Sequence, residues 1–425
     1  MNIHIVCATA LVICALAVKA PAQIAVSGND GKQVHPDDNP PTWHDDTVAT
    51  IDLNVYPPKV LAEIKAPAGM IGPPEAVAVA PDSSYAIVTS PQLPDLTDPN
   101  KTKVVLGDTV SVIDISNPRK PKVIQTEHAG LGASGVTINK AGTLALIAST
   151  SDGAISVFSI SHKKLTKIDT VKMEDGSSST AVVFNPDGKH AYVSERGGNR
   201  VATLDVDGNK VTYSGKFVVT GGAPYGMAVS PDGKWGVNTN LNGPIDSNAP
   251  ARAARPPAPP AGGETAAGGP AAGGRRGAGA RGPGGPPRLG TITLVDLTTN
   301  TVSDTATVGA TPEHVVLSPD GKYAAVVVAN GTPNSLTAPN YATTHGLFLV
   351  YGVADGKLTK IASADSGHWC QGATWSKDDK VLLLQCAAEM HIEVYKFDGA
   401  NLTQDTSATM QFKNRPGAIS TAQVQ

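Results

Sequence analysis

A hairpin unit recurs six times along this 425-residue chain, and a repeat of that kind decides the architecture before any single element is considered. The copies run from Glu75 to Thr89, Ser134 to Ser149, Thr180 to Ser194, Tyr225 to Thr239, His314 to Val328 and Gln371 to Gln385. In each, small or apolar residues alternate, a turn of the Pro-Asp-Gly-Lys kind follows, and a second β-rich run leaves the turn. Asp and Gly accept the backbone angles such a turn needs, so each copy reads as a two-stranded hairpin. A third strand of one style comes next, from Thr109 to Ile115 in the first copy and from His391 to Phe397 in the sixth. A weaker fourth strand, such as Val302 to Val308, ends each unit. Four antiparallel strands in about 40 to 50 residues make one blade of a propeller.

Six units account for Pro74 to about Gln411 and leave both ends over. Arg415 to Gln425 reads as a lone inner strand, while Gln23 to Ser27, Thr47 to Leu53 and Val60 to Pro67 read as second, third and fourth strands. Together they make a seventh blade. The expected fold is therefore all-β: a seven-bladed β-propeller over residues 23–425, closed by one C-terminal and three N-terminal strands. Closure of the ring removes the exposed edges that an open array would leave.

The turn positions Pro186 and Pro231 lie 45 residues apart, but Pro231 and Pro319 lie 88 apart. The excess is an Ala-, Gly- and Pro-rich insertion over 244–289, which carries Arg252, Arg255, Arg275, Arg276, Arg281 and Arg288 against Asp246 and Glu264. Such a segment buries too little apolar surface to offset its ordering entropy and is expected to be disordered. Its positive charge suits an acidic partner or the cell envelope, and a tolerated insertion without function is an equal reading. Shorter excesses in blades one and five also fall between the second and third strands.

The first 22 residues carry an apolar run from Ile5 to Val18, then Ala20 and Ala22 in the small-x-small pattern of a secretory cleavage site before Gln23. The run is short for a membrane span, so residues 1–22 read as a signal peptide and the product as periplasmic or secreted, with no membrane span in the mature chain. Cys7 and Cys14 leave with that peptide. Cys370 and Cys386 remain, equidistant from the turn Lys377-Asp378-Asp379, and a hairpin register sets such residues face to face. A disulfide between them is expected in an oxidising compartment.

With 17% charged residues and a net charge of −3, the chain has no field that would attract nucleic acid. It has no Cys-x-x-Cys-His haem site, no P-loop and no Gly-x-Ser-x-Gly elbow, so neither covalent haem nor nucleotide is expected.

The hairpin ends Tyr192-Val193-Ser194 and Val237-Asn238-Thr239 resemble those of the YVTN-repeat propellers, an exported prokaryotic group. Tyr192-Val193-Ser194-Glu195-Arg196-Gly197 also resembles the Tyr-Val-Ser-Asn-Arg-Gly segment of the seven-bladed lactonases, which include phosphogluconolactonase and carboxymuconate-lactonising enzymes. Pro312-Glu313-His314 resembles that family's Pro-Arg-His segment. This second resemblance implies that Arg196 stabilises an oxyanion and that His314 lies beside the acid or base. Glu313 stands where the family has Arg, Ala329 where it has Glu, and the Arg-Gly segment precedes the His segment.

In a propeller the first strand starts on the face to which the connection between strands two and three returns. The long loops and the first-strand starts therefore meet around one mouth, where a ligand is expected. The residues at those starts are Glu75, Ser134, Ser179, Thr180, Tyr225, Glu313, His314, His368, Trp369 and Arg415. Acids, imidazoles, an Arg and aromatics gathered there point to binding of a small molecule or a periplasmic protein partner by a monomer. An alternative is lactone hydrolysis, with His314 or His368 as base, Arg196 or Arg415 stabilising the oxyanion and Glu313 a further catalytic candidate. A third reading is an accessory subunit of a periplasmic redox system. His35, Asp37, His44 and Asp45, with Pro36, Asp38 and Asp46, fill a loop of the seventh blade, and their types suit a divalent metal although their spacing fits no closed motif.

Deleting Ala249 to Gly285 is expected to leave the melting temperature nearly unchanged. A large drop in a calorimetric scan would show that the insertion packs on the propeller.

Overall fold

The computed structural model describes residues 23–33, 39–245 and 288–422. The leader, His35 and Asp37 with their neighbours, and most of the long insertion lie outside the described residues.

Seven sheets surround one axis. Blade one comprises Val77–Val79, Tyr85–Pro94, Val104–Asp114 and Lys122–His128. Blades two to five begin with the inner strands Ala133–Ile138, Ser179–Phe184, Pro224–Val229 and Pro312–Leu317 and repeat the same four-stranded order. Blade six begins at Cys370–Trp375. Its outer edge is broken: Leu402–Gln404 and Met410–Gln411 both pair with His391–Phe397, on either side of a short 3₁₀ turn at Thr406–Ala408. Blade seven has the inner strand Arg415–Thr421, then Ile24–Asp30, Thr47–Asp52 and Lys59–Lys65. The ring therefore closes as the repeat requires. The second strand of this blade runs three residues beyond the expected Ser27, because Asn29 and Asp30 continue the pairing to Pro416 and Arg415 past a register shift at Gly28.

The core is distributed around the ring. One apolar cluster fills each of the seven blade–blade interfaces among the described residues. Between blades two and three, for example, Leu146, Ile155 and Val157 pack on Val182, Phe184 and Leu204. Each strand contributes alternate residues to the interfaces on its two sides, which is why the alternation is of small with apolar rather than of apolar with polar. The hairpin turns place Gly188, Gly233 and Gly321 at φ of +67°, +73° and +74°; Ser83 and Asp379 adopt the same hand without glycine in the two divergent copies.

The three insertions leave between strands two and three, as the spacing requires. In blade one, the extended strands pair Gln92 with Leu106 and Pro94 with Val104. In blade five, residues 329–345 include a 3₁₀ turn at Tyr341–Thr343. Cys370 and Cys386 are directly opposed in blade six and joined by a disulfide. Among the described residues no helix is long and apolar enough to cross a membrane.

Candidate functional site

The tightest constraint at the axis falls four residues before the start of each hairpin turn. That position holds Ala76, Gly135, Ala181, Gly226 and Gly372 in five blades, and His314 in the other. Its Cβ abuts the inner strand of the next blade: at Gly135 a methyl would lie 2.7 Å from Thr180 O and 2.9 Å from Ala181 Cα. Only the smallest side chains fit such an approach. His314 escapes the clash by sending its ring onto the neighbouring strand, where Nδ1 accepts the Ala373 N–H at 3.0 Å.

Glu75, next to Ala76, brings a second polar group to this layer. The residue is half-buried, but its carboxyl is turned inward: Oε1 accepts the Met227 N–H at 2.7 Å and Oε2 is shielded from solvent. Blades one and four are three steps apart in a ring of seven, so this bond spans the axis. Gly226 leaves it room, since a Cβ there would lie 3.2 Å from Glu75 Oε1 and 3.3 Å from His314 Cα. The carboxyl of blade one and the backbone of His314 in blade five thus flank Gly226 in a layer otherwise lined by Ala and Gly.

Below that layer is a cavity of about 90 Å³. Its wall runs from Glu75 and His314 down the inner strands to Pro81, Ile138 and Thr421 at their turn ends, and it includes no Lys or Arg. Burial pushes the Glu75 carboxyl up to about 8, with the Met227 N–H pulling weakly the other way. Burial also pushes His314 down to about 4. At neutral pH the layer therefore holds a protonated acid and a neutral imidazole. Because Nδ1 is the acceptor for Ala373, the ring proton sits on Nε2. Because Oε1 accepts from Met227, the remaining acid oxygen is Oε2, which is buried without a partner.

The other expected residues lie around the upper rim, mostly beneath the surface. Thr180 Oγ1 donates to Ser194 O (3.1 Å) and Tyr225 O (3.3 Å). Ser134, Ser179, Tyr225 and Glu313 are buried. His368 Nε2 donates to Tyr341 O at 2.7 Å, while Nδ1 meets Glu389 Oε1 at 2.5 Å. The Tyr341 ring stacks on it at 3.8 Å, and its hydroxyl donates to the same carboxylate. Arg415 spends its Nη1 on Asn334 O (3.0 Å) and Ala387 O (3.1 Å), with its guanidinium 5.2 Å from the Trp369 ring. His368 and Arg415 thus clasp the blade-five insertion to blade six. Arg196 stands apart and partly exposed, 5.8 Å from the Tyr225 ring. His44 and Asp45 are exposed in the blade-seven loop, where Asp45 pairs with Lys65, and buried Lys32 holds Asp46 at 2.5 Å.

Comparison with known proteins turns on blades one to four. Residues 97–242 match the family model described as lactonase, 7-bladed β-propeller. That is about a third of the chain. No curated protein matches it. Among solved structures, a Bacteroides uniformis protein provisionally described as a 6-phosphogluconolactonase is similar, with a TM-score of 0.65, 15% identity, and coverage of 95% of this chain and all of the other. The periplasmic gluconolactonase of Pseudomonas aeruginosa gives a TM-score of 0.59 at 12% identity, over 94% of this chain and 98% of the other. Hydrazine synthase of Kuenenia stuttgartiensis gives 0.52 at 17% identity, over 78% of this chain and 79% of the other. At such identities these likenesses establish the shared fold, and proteins of different chemistry share it.

The lactonase-like segments fall unequally on this propeller. The Tyr192–Gly197 segment lies within the matched region, whereas Pro312-Glu313-His314 lies outside it. Glu195 is buried and ion-paired with Arg200, which in turn reaches Glu174 at 2.7 Å. Sequence reasoning missed Glu389 and Tyr341, the partners of His368. Their signal was present, since an acid at the end of a second strand and an aromatic in a neighbouring insertion both return to the face carrying His368.

The two buried groups give stability a pH signature. Glu75, with its folded value near 8 against an ordinary 4.5, stabilises the fold fully at low pH, and this contribution is lost as pH rises through about 8. His314, near 4 against 6.5, acts in the opposite sense and is fully favourable above 6.5. Between pH 6.5 and 8.5 only Glu75 of this pair changes, so the wild type is expected to lose on the order of 2 kcal/mol that Glu75→Gln keeps. Urea unfolding at the two pH values measures this, and equal differences for both proteins would mean that Glu75 is ionised throughout.

Proposed function

We propose that this chain is an exported lactonase-like propeller that binds a small, neutral, carbonyl-bearing molecule at its axis. The observation that carries the reading is the protonated Oε2 of Glu75, buried without a protein acceptor, on the wall of a cavity that His314 also lines. Buried polar groups are normally paired, and a donor left over beside a cavity calls for a ligand with an acceptor oxygen. A cavity of about 90 Å³ suits roughly six waters or a molecule of about six heavy atoms. No cation lines it, so an ester, lactone or ketone oxygen is favoured over a carboxylate, whose burial unpaired would cost several kcal/mol.

Hydrolysis is the second reading, favoured by the family match over 97–242. It needs a base, and none of the proposed ones has a free nitrogen lone pair. His314 Nδ1 is occupied by Ala373 and its Nε2 carries the proton, while both nitrogens of His368 are engaged. Binding therefore accounts for the geometry with fewer groups.

γ-Butyrolactone and glycolate serve as probes, followed by ligand-observed NMR together with assay for released acid. The lactone is expected to bind more tightly than glycolate, and to weaken as pH rises through about 8. Glu75→Gln keeps a donor beside the Met227 contact, so it should bind normally and retain affinity at pH 9. Glu75→Ala should lose about tenfold, the worth of one buried hydrogen bond. Equal affinity of wild type and Glu75→Ala would remove the axial site, and release of acid would move the assignment to hydrolysis.

A further inference from the structure

Blade six contains a row of side chains that the axial site does not use. Its register pairs Cys370 with Cys386, and Cys386 with His391, across three adjacent strands. Directly opposed residues project from the same face of a sheet, and Glu393, two residues beyond His391, shares that face. One potential ligand atom from each of Cys386, His391 and Glu393 lies within 4.8 Å of the others, the one such group among the described residues. Cys370 brings a second sulfur to the same point, because it is bonded to Cys386.

The cluster is incompletely satisfied. His391 Nε2 is buried and makes no hydrogen bond, although it approaches Glu393 Oε1 to 3.4 Å. Glu393 is held in place by the Gly367 N–H (3.1 Å) and the Tyr395 hydroxyl (2.7 Å), the kind of outer support that orients a metal-binding carboxylate. In the disulfide form the sulfurs are poor ligands. As thiolates they would complete a set of two sulfurs, one imidazole and one carboxylate, which suits tetrahedral zinc and disfavours magnesium or calcium.

We propose that the dithiol form of this chain binds one zinc-class ion through Cys370, Cys386, His391 and Glu393, and that disulfide formation abolishes the site. In the reductive direction an external dithiol supplies two electrons and two protons. The Cys370–Cys386 bond breaks, two thiols form, and the donor becomes a disulfide. Metal binding then releases both thiol protons to solvent, leaving two thiolates and a carboxylate around the dication. The Cys386, His391 and Glu393 ligand atoms must draw together by about an ångström, and the two sulfurs, once unbonded, must separate to about 3.7 Å, to meet bond lengths near 2.0–2.3 Å; both changes are within reach of side-chain rotation.

The test uses the full chain, reduced under anaerobic conditions, with cobalt(II) as the probe and zinc as the competitor. One equivalent of cobalt with a thiolate-to-metal charge-transfer band is expected in the reduced protein, and none in the oxidised protein. His391→Ala should weaken binding at least tenfold. Cys370→Ser cannot form the bond, so it should bind cobalt through one thiolate without reductant, which keeps the test independent of whether the reduced wild type stays folded. Absence of the band in Cys370→Ser, or unchanged affinity in His391→Ala, would overturn the site.

Discussion

The seven inner strands approach so closely that the position four residues before each turn admits only Gly or Ala in five of the first six blades. Everything at the axis follows from that contact. It fixes the width of the central channel, it sends the His314 ring onto the backbone of blade six, and it leaves at Gly226 the gap that the Glu75 carboxyl fills from the far side of the ring. A polar pair in such a place is desolvated by geometry rather than by choice of neighbours. Desolvation then sets both protonation states, because burial disfavours whichever form is charged.

The same closeness separates the axis from the rim. Buried polar side chains above the channel are spent on holding loops: Arg415 on the carbonyls of Asn334 and Ala387, His368 between Tyr341 and Glu389, Lys32 on Asp46 and Ala68 O. These contacts tie insertions of blades five and seven to their neighbours. Substituting them tests loop docking first and ligand contact only second, whereas Glu75 keeps a buried carboxyl oxygen beside the cavity. Position on the wall of the axial cavity, which Glu75 and His314 line and Arg415, His368 and Lys32 do not, separates the candidate ligand groups from the structural ones.

Much of the fold was legible because a propeller repeats one local instruction. The alternation and the turn residues of Thr180 to Ser194 specify a hairpin without reference to anything distant, and the leftover strands at both ends demand closure. The disulfide was legible for the same reason, since a hairpin register is local. Glu75 was recognised only as a polar residue at a strand start. Its reach to Met227, a partner 152 positions away, depends on the diameter of the ring and on a missing side chain at Gly226, neither of which leaves a mark near Glu75 in the sequence. Likewise Arg415 and His368 carry the residue types of a catalytic site, and only their carbonyl and carboxylate partners show that they fasten loops. The broken edge of blade six, where Leu402–Gln404 and Met410–Gln411 replace one continuous strand, also had no signal in the alternation of the inner strands.

The protonation of one carboxyl underlies the axial reading. Carboxyl-carbon NMR on protein labelled at glutamate, assigned by comparison with Glu75→Gln, follows that group directly. The resonance should remain at the position of a neutral acid through pH 7 and move with a midpoint near 8. A Glu75 signal already at the carboxylate position at pH 6 would mean that the axis holds a charge, and with it the assignment of a neutral carbonyl ligand would fall.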